Sequence, residues 1–192
     1  MYRHLKQYFA KYVSVSESEL TDFCQLFEQK TIKKKQFLLE KGEICKFEAF
    51  VIKGLFKTYH IDSKGNEQIL QFAEADWWLT DFDSFDNQSP SQLSIQALED
   101  SEILFISYKN KEYAFKKWQF TERLFRIMTK KTHIALQRRM IDNLSKTAQE
   151  RYWDFLNKYP KIANRLSNIQ IARYLGVTHE FVSKIRAKAT KK

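Results

Sequence analysis

The chain has 192 residues, 43% of them hydrophobic and 15% aromatic, enough for one large domain or two small ones around a real core. No apolar run reaches the roughly 18 residues of a membrane span, the N-terminus lacks a signal peptide's apolar block, and Cys24 and Cys45 form no short Cys-x-x-Cys pair, so the sequence predicts a cytoplasmic protein without membrane partner, disulfide framework or iron–sulfur cluster. The formal charge of +10 is split unevenly, with 12 Lys and Arg against 17 Asp and Glu in residues 1–108 and 21 against 6 in residues 109–192, so the back half suits a polyanion.

Residues 2–12 and 17–30 read as helices, the second capped by Ser16 or Ser18, with Leu20, Phe23, Cys24 and Phe27 at helical spacing. From about Thr31 the pattern changes to short β-type runs. These are Thr31–Glu40, Phe47–Lys53, Leu55–Ile61, Gln68–Phe72, Leu93–Leu98 and Ile103–Ser107, rich in Ile, Val, Phe, Leu and Tyr. The segment Asp62-Ser-Lys-Gly-Asn66 is a hairpin turn in which Gly65 supplies positive φ. Short strands at this spacing imply a sandwich or barrel.

From Lys111 to about Asn143 the sequence is helical, without Pro or Gly. Ile127, Ile134 and Ile141 recur every seven residues, with Leu124 on the same stripe and Met128 and Ala135 beside it. The stripe fits a helix pairing two copies of the chain, or an amphipathic helix lying on its own β-domain. Lys131 and Arg138 interrupt it at the other heptad core positions. A further helix runs from Ser145 to Tyr159, buries Ala148, Tyr152, Phe155, Leu156 and Tyr159, and ends at Pro160; a hinge is expected near residues 142–146.

The segment from Ser167 to Lys191 has the layout of a helix-turn-helix. Ala172 is small where two helices approach, Gly176 follows four residues later where the turn needs φ > 0, and Val182 comes six after that. Ile171, Leu175, Val177, Val182 and Ile185 fall where two crossed short helices bury them. Such a unit pushes its second helix into the DNA major groove; the alternative is a helical hairpin capping a core.

This order of N-terminal helices, β-roll, long helix and helix-turn-helix resembles the Crp/Fnr family of bacterial transcription factors along nearly the whole chain. Locally the likeness rests on Gly54-Leu-Phe-Lys-Thr-Tyr59, on the run from Phe72 through Trp77-Trp78 to Phe85, and on Ala97-Leu-Glu-Asp-Ser-Glu-Ile-Leu-Phe-Ile106. The resemblance implies an α+β protein of two domains. An antiparallel, cyclic-nucleotide-binding-like β-roll sensor domain spans residues 1–110, a long dimerisation helix 111–143, and a helix-turn-helix DNA-binding domain 144–192. It further implies double-stranded DNA, a second copy of the chain and RNA polymerase as partners, with no cofactor and no catalytic role.

The family holds a cyclic nucleotide through a Gly-Glu that binds the ribose and an Arg-Ser or Arg-Thr that neutralises the phosphate. Here Leu79-Thr80 and Ser91-Gln92 stand at those places, and Asp81, Asp83 and Asp86 lie between them. Burying a phosphate without a cation is costly, so cyclic AMP and cyclic GMP are not expected to bind in the family's mode. Trp77, Trp78, Phe82 and Phe85 either line a pocket for an apolar or uncharged effector, whose identity the sequence does not give, or pack the core.

The recognition helix is expected from Thr178, its cap, to about Ala187, with Phe181, Val182 and Ile185 inward and His179, Glu180, Ser183, Lys184 and Arg186 outward. The family commonly carries Arg, Glu and Arg where this chain has His179, Glu180 and Lys184. Glu180 suits a cytosine amine and Lys184 a guanine edge, though without arginine's rigid fork; His179 reaches a base or a phosphate. Ser167, Asn168, Gln170, Arg173 and Lys188, with Lys191 and Lys192, are phosphate candidates. Only about five residues follow Ala187, so the family's β-hairpin wing is not expected, and with it fewer phosphate contacts and a shallower salt slope.

Two other functions compete. A ligand-sensing or protein-interaction module would use the terminal unit to dock another protein and would leave DNA unprotected. A metal-dependent β-barrel enzyme would need clustered ligands, whereas His4, His60, His133 and His179 are scattered, and no nucleophile elbow or phosphate loop occurs, so neither a metal site nor catalysis is expected.

Overall fold

The computed structural model describes residues 2–189, with side chains through Ala187. Two short helices, α1 (Arg3–Phe9) and α2 (Glu17–Cys24), come first. Ser16 closes α2 with a capping box, its hydroxyl accepting from the Glu19 N–H while the Glu19 carboxylate accepts from the Ser16 N–H. The helix stops at Cys24 instead of continuing to residue 30. Phe27 turns into the core, and the helix-forming run that follows is claimed by strand pairing: β1 (Glu28–Ile32) lies antiparallel to β8 (Ser101–Ser107).

Between them run β2 (Phe37–Leu39), β3 (Phe47–Lys53), β4 (Phe56–Ile61), β5 (Glu67–Ala73), β6 (Trp78–Leu79), the short helix α3 (Phe82–Asn87) and β7 (Ser94–Ala97). The expected single run from Thr31 to Glu40 is divided by Lys35, whose φ of 71° turns the chain. Two four-stranded antiparallel sheets result, ordered β1-β8-β3-β6 and β2-β7-β4-β5. The turn at Asp62–Asn66 links β4 to β5, with Gly65 at φ 81° and the Asp62 carboxylate accepting from the N–H groups of Lys64 and Asn66.

Alternation along the strands sends side chains to opposite faces, and here each sheet has packed residues on both faces. Between the sheets lie Ile32, Leu39, Ala49, Val51, Phe56, Leu79, Phe85, Ile95 and Ile103. On the outside of the first sheet, Phe50, Leu104 and Ile106 pack under α1, α2 and the helices that follow the roll. Outside the second sheet, Leu55, Tyr59, Ile69 and Phe72 share a core with the C-terminal helices. The C-terminal unit is therefore docked on the roll.

The long helix expected from Lys111 is two: α4 (Tyr108–Lys117) and α5 (Gln119–Ser145). Trp118 is extended between them (φ −133°, ψ 112°) because its ring is drawn into the core beside Phe23. The Thr121 hydroxyl donates to the carbonyls of Ala114 and Trp118, which also accept the Trp118 and Thr121 N–H groups, so the break leaves neither carbonyl unpaired. A second extended residue, Lys146, ends α5 where the hinge is expected. Then follow α6 (Ala148–Lys158), capped by Thr147 and Glu150, the single turn α7 (Pro160–Ala163), α8 (Asn168–Leu175) and α9 (His179–Ala189). Pro160 thus ends one helix and opens another.

Candidate nucleic-acid interface

Three local devices fix the terminal unit. The Ser167 hydroxyl accepts from the Gln170 N–H at 3.2 Å, and the Gln170 side chain accepts from the Ser167 N–H at 2.8 Å. Gly176 ends α8 in the left-handed region (φ 69°), and Val177 N–H closes back on the Ala172 carbonyl at 3.0 Å. The Thr178 hydroxyl accepts from Phe181 N–H at 3.3 Å as α9 begins. Ile171, Ala172, Leu175, Val182 and Ile185 are buried against Tyr152, Phe155 and Ile162, and Phe181 is half-buried. α6 and α7 thus back a helix-turn-helix whose small Ala172 sits at the crossing.

α9 presents His179, Glu180 and Lys184 to solvent. Hydrogen bonds, first from its own backbone N–H and then from Thr178, hold the Glu180 carboxyl below its ordinary value, so it is an ionised acceptor. Lys184 follows at four-residue spacing on the same face. Ser183 is half-buried, 3.4 Å from the Asn168 amide and 3.5 Å from His179.

Several other expected contact residues hold the unit together. Arg186 donates through Nε to the Tyr152 hydroxyl at 3.0 Å and through Nη1 to the Asn168 side-chain oxygen. Arg173 pairs with Glu67 of β5 at 2.7 Å. Ser167 and Gln170 are joined in the capping box, which takes up the N–H groups of both. The Lys188 side chain, Lys191 and Lys192 lie outside the described residues.

Sequence reasoning missed the clasp between this unit and the roll. Arg165, just before α8, donates to both Glu99 carboxylate oxygens at 2.8 and 2.5 Å, to Glu74 at 3.0 Å and to the Gly54 carbonyl at 2.9 Å. Gly54 has φ 107°, and a Cβ there would lie 2.0 Å from the Ser101 hydroxyl, so only glycine fits. Arg139 of α5 donates to the carbonyls of Ile69, Leu70 and Tyr174 and lies 4.1 Å over the Tyr174 ring. These partners are 35 to 111 residues apart, and no local pattern joins them.

α5 has two unlike halves. Leu124, expected on a pairing seam, is fully buried in the chain's own core with Phe125 and Met128, which removes it from any surface a second copy can reach. Ile127 and Ile134 are half-buried. Beyond them Leu136, Met140, Ile141 and Leu144 are 54%, 65%, 55% and 79% exposed.

The expected aromatic pocket of the roll is not assembled as a group. Phe85 is fully buried between the sheets, and Phe82 is exposed on α3. Trp77 and Trp78 instead border a cleft between the roll, α5 and the C-terminal unit.

Inside the roll, the family's phosphate position carries no cation. Asp81 is buried and accepts from the Ser91 hydroxyl at 2.6 Å; Ser84 receives the Cys45 N–H at 2.8 Å and donates to the Ser89 carbonyl at 2.5 Å. The polar groups of this part of the roll are thus satisfied by one another, with Ser91 and no cation beside Asp81. Among the described residues no cluster of His, Cys, Asp and Glu is suited to a metal ion, and no helix is long and apolar enough to cross a membrane.

Residues 29–117 match the family model of the cyclic nucleotide-binding domain. No curated protein matches the chain in sequence. Among solved structures, FixK2 from Bradyrhizobium japonicum is 21% identical, with a TM-score of 0.76 over 86% of this chain and 85% of that one. CLP from Xanthomonas campestris, described as a c-di-GMP responsive global regulator, is 13% identical, with a TM-score of 0.76 over 92% of both chains. A transcriptional regulator assigned to the crp/fnr family from Eubacterium rectale is 15% identical, with a TM-score of 0.73 over 96% of this chain and 88% of that one. The roll matches that domain model over residues 29–117, and the chain shares the fold of these regulators over 86–96% of its length.

Proposed function

We propose that this protein, with its Crp/Fnr fold, is a member of that family that binds DNA and regulates transcription in the cytoplasm. The observation that carries this reading is the exposed face of α9, where His179, Glu180 and Lys184 stand free of the packing that fixes Val182 and Ile185. A helix held from behind with one polar face outward suits entry into a major groove. Glu180 accepts from a cytosine amine and Lys184 donates to a guanine edge, with His179 beside them on a base or a phosphate. Ser167 and Asn168 bring the start of α8 to the phosphate backbone, with Arg173, Lys188 and the basic charge of the back half adding sequence-independent attraction.

The active form is a homodimer paired along the exposed half of α5 through Leu136, Met140, Ile141 and Leu144, with Ile134 and Ile127 at the margin. Four large apolar side chains on one solvent-facing stretch are more than an isolated helix tolerates, and their spacing continues a helical stripe. Two-fold pairing sets the recognition helices about one DNA turn apart, roughly 34 Å, over a near-palindrome. The roll acts without cyclic AMP in this reading, which is supported by Ser91 standing where the family carries its arginine and donating instead to the buried Asp81. The function lies in binding and not in catalysis, and RNA polymerase is the expected protein partner.

Selection of bound sequences from a random DNA pool tests the reading. It is expected to return two inverted half-sites about one helical turn apart. A pool that emerges unenriched, with protein that is folded and dimeric, contradicts it and favours a module that docks another protein.

A further inference from the structure

The roll, α5 and the C-terminal unit meet around a cleft of about 600 Å³, within the range of small-molecule sites. Its walls are mostly apolar: Leu70, Phe72, Trp77, Met128, Phe155 and Tyr174 face it from all three parts. Leu70 is 39% exposed there, an apolar side chain at the mouth with nothing of its own chain over it.

The charges in the cleft are not balanced. Asp142 and Asp154 both bind Lys146, at 2.7 and 2.8 Å, and Asp76 binds His4 at 2.6 Å, so each carboxylate on the lining is already engaged. The arginines have no such partner. Arg139 donates only to main-chain carbonyls, and Arg151 donates to the carbonyls of Lys146 and Leu175 at 2.8 and 3.3 Å. Among the described residues neither guanidinium meets a carboxylate, and the Arg151 Nε–H is buried with no acceptor. Burial, and then the Arg151 charge nearby, pull the Arg139 guanidinium below its ordinary value. Two neighbouring cations in an apolar cleft lack an anion, and an unsatisfied buried donor points to where one goes.

We propose that this cleft binds an amphipathic organic carboxylate: an anionic head placed on Arg151 beside Arg139, and a flat apolar body against Trp77, Phe72 and Leu70. Arg139 is the positioning residue, since it is already fixed to three carbonyls and stacked on Tyr174, while Arg151 holds the free donor. The cleft is distinct from the roll interior, since neither Asp81 nor Ser91 lines it. A ligand here touches the roll, the long helix and α6 at once, and so would be the effector of the regulator proposed above. The effector role rests on the regulatory reading; binding itself does not involve DNA.

The test is calorimetric titration of the intact protein with naphthoate, and with naphthamide as the uncharged analogue of the same shape. Saturable binding of one naphthoate per chain is expected, with naphthamide weaker by about tenfold or more. Arg151→Gln should weaken naphthoate by a similar factor, and Arg151→Lys should recover part of the loss. Because Arg151 also braces the hinge, Ala135→Trp provides a second probe: Ala135 is exposed on the cleft side of α5, and the indole would fill the space without disturbing a core. It should abolish binding while the thermal melt stays unchanged. No saturable naphthoate binding, equal affinity for naphthamide, or unchanged affinity in Ala135→Trp would each overturn the proposal. None of these outcomes bears on whether α9 binds DNA, which the pool selection decides.

Discussion

Arg173 of α8 and Glu67 of β5 lie 2.7 Å apart, and the same Glu67 oxygen receives Lys57 at 2.6 Å. One carboxylate therefore joins the first helix of the helix-turn-helix to a buried lysine of the roll. The two cations are unlike. Lys57 is nearly enclosed, its ammonium 4.2 Å over the Tyr59 ring, whereas Arg173 is half in solvent. Glu67→Gln should cost about 1–3 kcal/mol, because it leaves a buried ammonium without its anion. Arg173→Ala should cost under about 1 kcal/mol, as a largely exposed pair does. Urea unfolding of both variants checks the order, and equal losses would show that Lys57 does not depend on Glu67.

The clasp around Arg165 carries a pH dependence. Hydrogen bonds from Arg165 hold the Glu99 carboxyl below its ordinary 4.5. A carboxylate with a depressed folded-state pKa contributes stability that is fully present above its unfolded value and lost as pH falls through the folded one. Docking of the C-terminal unit should thus be intact at neutral pH and loosen below pH 4.5. Hydrogen exchange along α8 at falling pH reads this out. Glu99→Gln should show the faster exchange already at neutral pH.

Gly176 turns the chain between α8 and α9 with φ 69°, and a Cβ there meets nothing within 4 Å. The cost of Gly176→Ala is therefore conformational alone, about 1–2 kcal/mol for an L-residue in the left-handed region. A fall in melting temperature of about 2–8 °C follows for a chain of this size. Gly54→Ala should be much worse, since its Cβ would overlap Ser101.

Much of this fold is legible in the chain. Phe47–Lys53 is β3 to the residue, and the Asp62–Asn66 turn and the Gly176 corner fall where Gly and Asp place them. These are local rules, satisfied within a few residues. The departures come from tertiary choices. Residues 28–30 have a helix-forming composition but extend because β8 offers a partner, and Trp118 breaks a Gly-free helical run because its ring is worth more in the core. The helix-turn-helix was visible because its spacing is local. Its anchoring through Arg165, Arg139 and Arg173 was not, since the acceptors lie on distant strands and several are main-chain carbonyls, which have no signature in sequence. The heptad stripe was half informative: one isoleucine repeat marked α5, but the same period ran from the chain's own core at Leu124 to solvent at Ile141.

That exposed half gives a prediction on assembly. Ile141→Lys and Leu144→Lys each place a charge on the proposed seam, at positions 55% and 79% exposed, so neither should disturb the fold. Sedimentation equilibrium should show the dimer dissociation constant rising by about tenfold or more, roughly 1.4 kcal/mol. A wild-type chain that sediments as a monomer, or variants that pair as tightly, would remove α5 as the seam.

The central claim is that the outer face of α9 reads DNA, and the direct measurement is affinity for a selected site with Lys184→Ala, and with Glu180→Ala and Lys184→Ala combined, at fixed salt. Lys184→Ala should weaken specific binding by about 1–3 kcal/mol while binding to unrelated DNA falls much less. Unchanged affinity for the selected site in the double variant would contradict the account.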